Sequence, residues 1–251
     1  MSALRYVYAI CRPFPAALSA ELAGVGGVPP RLLRHDDLIA VVGSVPEREF
    51  AAESLRRRLE DVHWLEATAR AHQGVIDALT AVTSPLPLRL ATVLRDDSGV
   101  RVMMDERRED FERTLDRLDG RVEWDVKVYA ETADSSGETG KTRERADEFT
   151  RRLHGTLSEC AEENRLLPPR NPVRNAARNT ASAREVFRGE EGSEILDAAY
   201  LVPRADSGEF VERVNGSAGD EPGMRVELTG PWAAYSFTGS TGLTGFTGLT
   251  G

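Results

Sequence analysis

Cysteine is scarce in this chain of 251 residues, which contains only Cys11 and Cys160. The two lie far apart and have no CxxC or other metal-ligand spacing, so the sequence predicts neither a disulfide framework nor a cysteine metal site. We interpret both as small core residues of a protein from a reducing compartment.

Long hydrophobic runs are also missing, because no stretch approaches the length of a membrane-spanning helix without carrying charge. Residues 1–22 lack the charged and apolar regions of a secretion signal. These absences predict a cytoplasmic protein with no lipid-membrane partner. Positive charge is in deficit as well, since the formal net charge is -9. The average field of such a chain repels a phosphate backbone, so nucleic acid is not predicted as a partner.

Histidine is rare, and no catalytic motif surrounds any of His35, His63, His72 and His154. His63 and His72 share a predicted helix, but their spacing puts them on different faces, so they cannot chelate one ion. His35 lies beside two aspartates in a turn, which is typical of a polar hairpin tip. The GVGG at 24–27 lacks the strand-to-helix context of a phosphate loop, and no GxSxG or HExxH occurs. The sequence therefore predicts no catalytic residue, no cofactor and no metal site.

The first 119 residues carry a mixture of alternating and helical patterns. They predict a strand at 4–12, a short helix at 16–22, a hairpin at 30–46 that turns at Asp36 and Asp37, a long helix at 51–83, a strand at 85–96 and a helix at 104–118.

The remainder predicts strands at 122–129, 194–204 and 224–232, a helix at 142–167 and a short helix that carries Phe210, Val211 and Val214. The longer helix has an apolar stripe at spacings of three and four, formed by Ala146, Phe149, Leu153, Leu157, Cys160, Asn164 and Leu167. This order predicts an α+β protein of two domains, the second a modified ferredoxin-like sandwich with long helices. The predicted boundaries are 1–119, 120–237 and a flexible Gly/Thr-rich tail at 238–251.

The stretch EWDVKVY at 123–129 contains residue types found in active sites. Its apolar residues fall on every second position, which predicts a β-strand with Trp124 facing the core. Glu123, Asp125 and Lys127 then share the opposite face, where charged groups are usually solvated. We interpret this face as solvated. The alternative is a site that uses these three side chains, and it requires partners from elsewhere in the chain.

An arginine-rich segment follows at 168–190. Arg170, Arg174 and Arg178 recur every four residues and would form one stripe on a helix. Flanking prolines and small polar residues favour an exposed, mobile segment. A contact with a protein partner is a more plausible role for this stripe than nucleic-acid binding.

Four blocks of the chain resemble a known family when they are taken in order. They are PLPLRLATVLRD, EDFERTLDRLDGRVEWDVKVY, DAAYLVPR and ELTGPWAAYSF. Together they are similar to the gas vesicle protein family GvpF/GvpL. The resemblance runs from about Arg5 to Phe237, and the segment at 168–190 has no place in the family pattern.

The resemblance implies an accessory protein of gas vesicle assembly that is not an enzyme. It further implies binding to the small hydrophobic wall protein, association with other accessory proteins, assistance in nucleation or growth, and a location on the vesicle. The alternative hypothesis is a small-molecule-binding, ferredoxin-like enzyme or sensor that uses Glu123, Asp125 and Lys127. One concave pocket that gathers these residues and a histidine would favour the alternative.

Overall fold

The computed structural model describes residues 3–15, 18–19, 21–131, 139–167, 192–218 and 221–239. These residues form helices and two antiparallel sheets, which confirms the predicted α+β class. The described chain divides into two compact units. The first contains the residues up to Asp119 and again those from Ala233 onward, and the second runs from Gly120 to Trp232.

The first unit is built on an antiparallel sheet in the order β2-β3-β1-β4, with β5 also paired to β1. Its strands are β1 (Ala3–Cys11), β2 (Arg31–His35), β3 (Leu38–Pro46), β4 (Leu86–Pro87) and β5 (Val93–Leu94). Its helices are α1 (Glu47–Phe50), α2 (Ala52–Arg58), α3 (Val62–Thr80), α4 (Asp97–Glu106) and α5 (Arg108–Leu118).

The predicted first strand and the predicted hairpin are both confirmed. Strands β2 and β3 pair from Arg31 opposite Val42 to His35 opposite Leu38. The two residues of the turn are aspartates, and Asp36 has a positive φ of 47°. Aspartate tolerates this left-handed conformation better than most residues, which explains how a turn without glycine closes the hairpin.

The long helix predicted at 51–83 is wrong, because two separate helices, α2 and α3, occupy this region. Ala51 has an extended backbone between α1 and α2, with ψ at 149°. Asp61 then begins α3, since its carboxylate accepts hydrogen bonds from the backbone N–H groups of His63 at 3.1 Å and Trp64 at 3.2 Å. A side chain that caps a new helix competes with continuation of the preceding one.

Three smaller predictions in the first unit also need correction. The strand at 85–96 is reduced to the two short strands β4 and β5, and Ala91 between them has a φ of 63°. The helix at 104–118 is two helices that meet at Arg107, and the first begins earlier because Asp96 caps Gly99 N at 2.9 Å. Within the region predicted as a helix at 16–22, Leu18 and Ser19 are irregular, and Ala16, Ala17 and Ala20 lie outside the described residues.

The second unit contains an antiparallel sheet in the order β7-β8-β6-β9. Its elements are β6 (Arg121–Glu131), α6 (Thr139–Ser158), β7 (Glu163–Leu166), β8 (Gly192–Pro203), α7 (Ser207–Ala218) and β9 (Met224–Trp232). The chain order is strand, helix, strand, strand, helix, strand, which is the order of the ferredoxin-like motif. The structure therefore includes one strand, β7, that the sequence pattern did not predict.

The predicted helix at 142–167 is correct only in its first part. Helix α6 ends at Ser158, so Cys160, Asn164 and Leu167 do not continue its apolar stripe. Residues 163–166 instead pair with β8. Backbone hydrogen bonding to a sheet edge outweighs a helical sequence pattern here, and the prolines at 168 and 169 disfavour a helix that continues toward them.

One face of the second sheet forms the core of its unit. The strands supply Val122, Trp124, Val126, Val128, Leu196, Ala198, Tyr200 and Val202, and the helices supply Phe149, Leu153, Leu157, Phe210 and Val214. Both helices therefore pack on the same face of the sheet. Within the described residues, no helix has the length and hydrophobicity needed to cross a lipid bilayer.

Candidate functional site

The apolar face of β6 is buried as the alternation predicts. Trp124 is 8% exposed and stacks on Phe210 with a ring separation of 6.3 Å. Its indole N–H donates to Ser207 Oγ at 3.3 Å. The indole therefore packs with its ring buried and its polar edge bonded, as buried tryptophans commonly do.

The opposite face of β6 is also buried, which overturns the prediction that it is solvated. Glu123 is 0% exposed and Asp125 is 3% exposed. Lys127 lies between two carboxylates, with its Nζ 3.8 Å from Glu194 and 3.9 Å from Asp197. Strand alternation indicates which side chains share a face, but it does not indicate what covers that face.

Tyr129 extends this charged face to the next strand. The guanidinium of Arg225 lies 4.2 Å from the centre of its ring, and Arg225 Nη1 is also 3.7 Å from Glu227 Oε2. Burial raises the pKa of Tyr129, and the negative charges of Glu227 and Glu194 raise it further. The phenol is therefore protonated at neutral pH, and the face is a network of ion pairs beside a neutral hydroxyl.

A cavity of about 470 Å³ opens between α6 and the β7-β8 edge of the sheet. Its lining is Asp147, Thr150, Arg151, His154, Leu166, Leu167, Glu194, Ile195, Leu196 and Asp197. Glu123, Asp125 and Lys127 do not line it. Thr150 Oγ1 and Glu194 Oε1 are buried and have no hydrogen-bond partner in the described part of the chain.

The histidine in this cavity is already engaged. His154 Nδ1 and the Tyr200 hydroxyl lie 2.7 Å apart, and burial lowers the pKa of His154. A smaller cavity of about 390 Å³ is lined by Glu159, Cys160, Asp206, Glu209, Phe210 and Arg213. Neither cavity gathers Glu123, Asp125 and Lys127 with a histidine. These two cavities therefore give the enzyme or sensor hypothesis no support.

The first unit contains a separate polar cluster inside its core. The Tyr6 hydroxyl lies 3.0 Å from His72 Nδ1 and accepts the backbone N–H of Ala91 at 3.0 Å. Burial lowers the pKa of His72 to about 3 and raises that of Tyr6, so both are neutral. The hydrogen bond therefore joins two neutral groups, and the tautomer of His72 decides which of them donates. His72 Nε2 is buried and has no hydrogen-bond partner within the described residues.

Tyr8 makes a second contact of the same kind, since its hydroxyl accepts the backbone N–H of Val25 at 2.8 Å. Burial raises the pKa of Tyr8 to about 12. The sequence pattern indicates no partner for His72. The available signal was that Tyr6 and Tyr8 share one face of β1, while His72 lies in phase with the buried residues of α3.

The polar hairpin tip forms an exposed charged cluster. His35 Nε2 lies 2.8 Å from Asp105 Oδ1, and Arg108 pairs with Asp36 and, at 3.3 Å, with Asp105. The hydrogen bond from His35 lowers the pKa of Asp105, and Arg108 lowers it further. The donor atoms of His35, Asp36 and Asp105 lie within 4.8 Å of one another. Arg108 already supplies a cation to these carboxylates, so the cluster is explained without a metal.

His63 is exposed at the beginning of α3, whereas His72 is buried further along the same helix. The two do not converge, in agreement with the spacing argument. Arg170, Arg174 and Arg178 lie outside the described residues. Their contact with a partner stays a prediction, as does the behaviour of the tail.

These features define a two-unit α+β protein in which most clustered polar groups form ion pairs and hydrogen bonds. The chain matches the sequence model of the family described as "Gas vesicle synthesis protein GvpL/GvpF" over residues 4–144 and 138–239. The two matches span nearly all of the chain, so the protein belongs to this family.

Two relatives come from Streptomyces sp. (strain CB03234). The chain is 49% identical to its "Gas vesicle protein L" over 262 residues, which covers 94% of this chain and 93% of the relative. It is 26% identical to "Gas vesicle protein F" of the same strain over 253 residues, which covers 92% and 98%.

Two crystal structures share the fold. The structure of GvpF from Anabaena sp. PCC7120 aligns with a TM-score of 0.67 at 16% identity, covering 94% of this chain and 96% of that one. GvpF from Microcystis aeruginosa aligns with a TM-score of 0.65 at 16% identity, covering 94% and 98%. At this identity the likeness establishes the fold and nothing beyond it.

Proposed function

We propose that the protein is a non-enzymatic accessory factor of gas vesicle assembly. It binds the small hydrophobic wall protein, assists nucleation or growth of the vesicle, and acts on the vesicle and in the cytoplasm with other accessory proteins. The observation that carries this proposal is the family match along nearly the whole chain. The polar clusters support it too, since most of their groups pair within one unit and neither described cavity gathers Glu123, Asp125 and Lys127.

The physical requirement is that an apolar wall subunit must be masked before it joins the wall. Exposed apolar surface drives aggregation, and a partner that covers it competes with aggregation. The net charge of -9 keeps such a partner soluble while it carries an apolar load.

The cavity beside α6 is the surface that suits this role. Four apolar residues line it, and Leu166 is 64% exposed. Strand β8 begins at Gly192, but β7 pairs only with its residues from Ala198 to Leu201. Apart from the bond of Leu167 N to Asp197 O at 2.8 Å, no described residue pairs with this edge of β8 before Ala198. An apolar segment of the wall protein would lie in the cavity and add to this edge as a strand.

The test is coexpression with the wall protein, capture of one protein, and assay of the other at low and high salt. We expect binding to survive high salt, because apolar contacts are not screened. Contacts made by Arg170, Arg174 and Arg178 would weaken instead. A deletion strain without a redundant family member should lose its vesicles or form smaller ones, and normal vesicles there would contradict the proposal.

A pair of matched variants tests the cavity itself. Leu166→Asp places a charge in the cavity and should reduce capture of the wall protein. Val102→Asp is its control, because Val102 is 53% exposed on α4 in the first unit and lines neither described cavity. Full capture by both variants would contradict a binding surface in this cavity. Loss of capture by both variants would indicate a general effect of added charge.

A further inference from the structure

Strand β9 is a long edge strand of the second sheet. It has nine residues, from Met224 to Trp232, and pairs with β6. No other described strand pairs with it, so its outer edge carries backbone donors and acceptors that the described sheet does not use. Such an edge is a template for another strand.

The charges of β9 have an arrangement that distinguishes this strand. Arg225 and Glu227 flank Val226, carry opposite charges and are each about one-third exposed, with side chains 36% and 31% accessible. In an antiparallel pair of identical strands, a two-fold axis at Val226 places Arg225 of each copy opposite Glu227 of the other. Opposite charges in directly facing positions stabilise a strand pair. The existing Arg225–Glu227 pair then becomes part of a cluster of four alternating charges.

The same register matches apolar residues on the other face of the strand. Met224 of each copy faces Leu228 of the other, and the two copies of Val226 face each other. All three side chains are half-buried and pack against the core of the second unit. A second strand at this edge would cover the apolar surface that they leave exposed, so both faces of β9 favour one register.

The other described edges lack this combination, and β4 and β5 have only two residues each. In β2, the charged residues Arg31 and Arg34 are both basic and exposed. Pairing of two β2 strands brings these cations close together, which is typical of an edge protected against self-association. Strand β7 has Glu163 and Arg165, but it is only four residues long. Among the described edges, β9 combines length with charge complementarity to itself.

We propose that two copies of this chain pair through β9, antiparallel and centred on Val226, and so join their second sheets into one continuous sheet. The interface is isologous, as in most homodimers, because the same strand is used by both copies. This inference goes beyond the proposed function and does not depend on it, since it rests on the geometry and charges of β9 alone.

The first test is the molecular mass of the full chain by light scattering over a concentration series. We expect a dimer for the native sequence. Arg225→Glu and Glu227→Arg each bring like charges together across the axis and should give monomers. The double variant Arg225→Glu/Glu227→Arg restores complementarity and should dimerise again, and circular dichroism checks that each variant is folded.

The second test locates the axis by crosslinking. Directly opposed residues of antiparallel strands have Cα atoms about 4.5–5.5 Å apart, which is within the range of a disulfide. Val226→Cys should therefore give a crosslinked dimer on mild oxidation. Leu228→Cys is the control, because it faces Met224 and should not crosslink. The native chain, with Cys11 buried and Cys160 half-buried, gives the background.

Several outcomes would overturn the proposal. They are a native chain that is monomeric at every concentration, a dimer that both single charge variants leave intact, or equal crosslinking of Val226→Cys and Leu228→Cys. Loss of the dimer in Glu163→Arg rather than in Glu227→Arg would assign the interface to β7 instead. Arg34→Glu on β2 should leave the dimer unchanged.

Discussion

The two units bury polar side chains by different means. In the first, Tyr6, Tyr8 and His72 are neutral and bond to one another or to backbone N–H groups. In the second, charged residues form one face of β6 and β8, where Lys127 lies between Glu194 and Asp197. Buried polar groups need partners in both cases. The cluster in the first unit is stable only while its side chains stay neutral. The ionic face in the second unit is stable only while each charge keeps its counter-ion.

The largest expected loss of stability comes from a substitution on the apolar face of β6. Trp124→Ala should lower the free energy of unfolding by about 3–5 kcal/mol, because it leaves a cavity against Phe210 and removes a large buried side chain. Urea unfolding monitored by circular dichroism measures this. A change within experimental error would contradict the assignment of Trp124 to the core.

A change of pH should distinguish the contribution of the neutral cluster to stability from that of the ionic face. The folded pKa of His72, about 3, lies below the unfolded value of 6.5. The unfolded chain therefore binds a proton between these values that the folded chain does not. Stability is complete above pH 6.5 and falls as the pH decreases, by about 1.4 kcal/mol per pH unit from this group.

The measurement is urea unfolding at several pH values, with His72→Gln as the variant that cannot titrate. Between about pH 6.5 and about pH 5, the native chain should lose about 2 kcal/mol more than the variant. Parallel plots of unfolding free energy against pH for the two proteins would contradict this prediction. They would show that His72 becomes protonated without unfolding the first unit.

Removal of the central cation tests the ionic face. Lys127→Met keeps the length of the side chain but leaves Glu194 and Asp197 without this counter-ion. It should destabilise the protein by about 1–2 kcal/mol, since the groups are mostly buried but their separations are long for ion pairs. Arg213→Met is the matched control, because its pair with Glu209 is exposed on α7 and should contribute little to stability. Equal losses would mean that burial adds nothing to the pair at Lys127.

The smallest expected effect is at the carboxyl-terminal tail. The sequence predicts that residues from Thr238 onward are dispensable, but Thr238 is buried and its hydroxyl donates to Tyr235 O at 3.1 Å. Deletion of residues 240–251 should therefore leave the melting temperature unchanged, because a glycine-rich segment gains little on ordering. A deletion that begins at Thr238 should lower it. Equal melting temperatures for the two deletions would remove any role of Thr238.

Local patterns predicted the parts of the fold that local interactions determine. The alternation around Trp124 located β6 and its buried face, and the paired aspartates located the turn between β2 and β3. The last strand was predicted with its observed bounds, Met224–Trp232. In these cases the side-chain period and the turn residues are properties of neighbouring positions.

The errors arose where distant contacts decide the outcome. The helical stripe beyond Ser158 gave way to β7 because β8 offers a sheet edge there. The face that carries Glu123 and Asp125 was predicted to be solvated because alternation contains no information about coverage. His72 gained a partner, Tyr6, from a position 66 residues away, which no spacing rule could supply. The resemblance to the family rests on short blocks of sequence and on their order along the chain.

The chain returns to the first unit at Ala233. This return affects the order in which the two units are completed during synthesis. Ala233 is part of the core cluster of the first unit, and Tyr235 packs against that cluster with its ring 6.2 Å from His72. A ribosome must therefore complete the second unit before it delivers the last core residues of the first. The core of the first unit is therefore completed only after the second unit has been synthesised, whereas an amino-terminal unit that is continuous in sequence has its whole core available first.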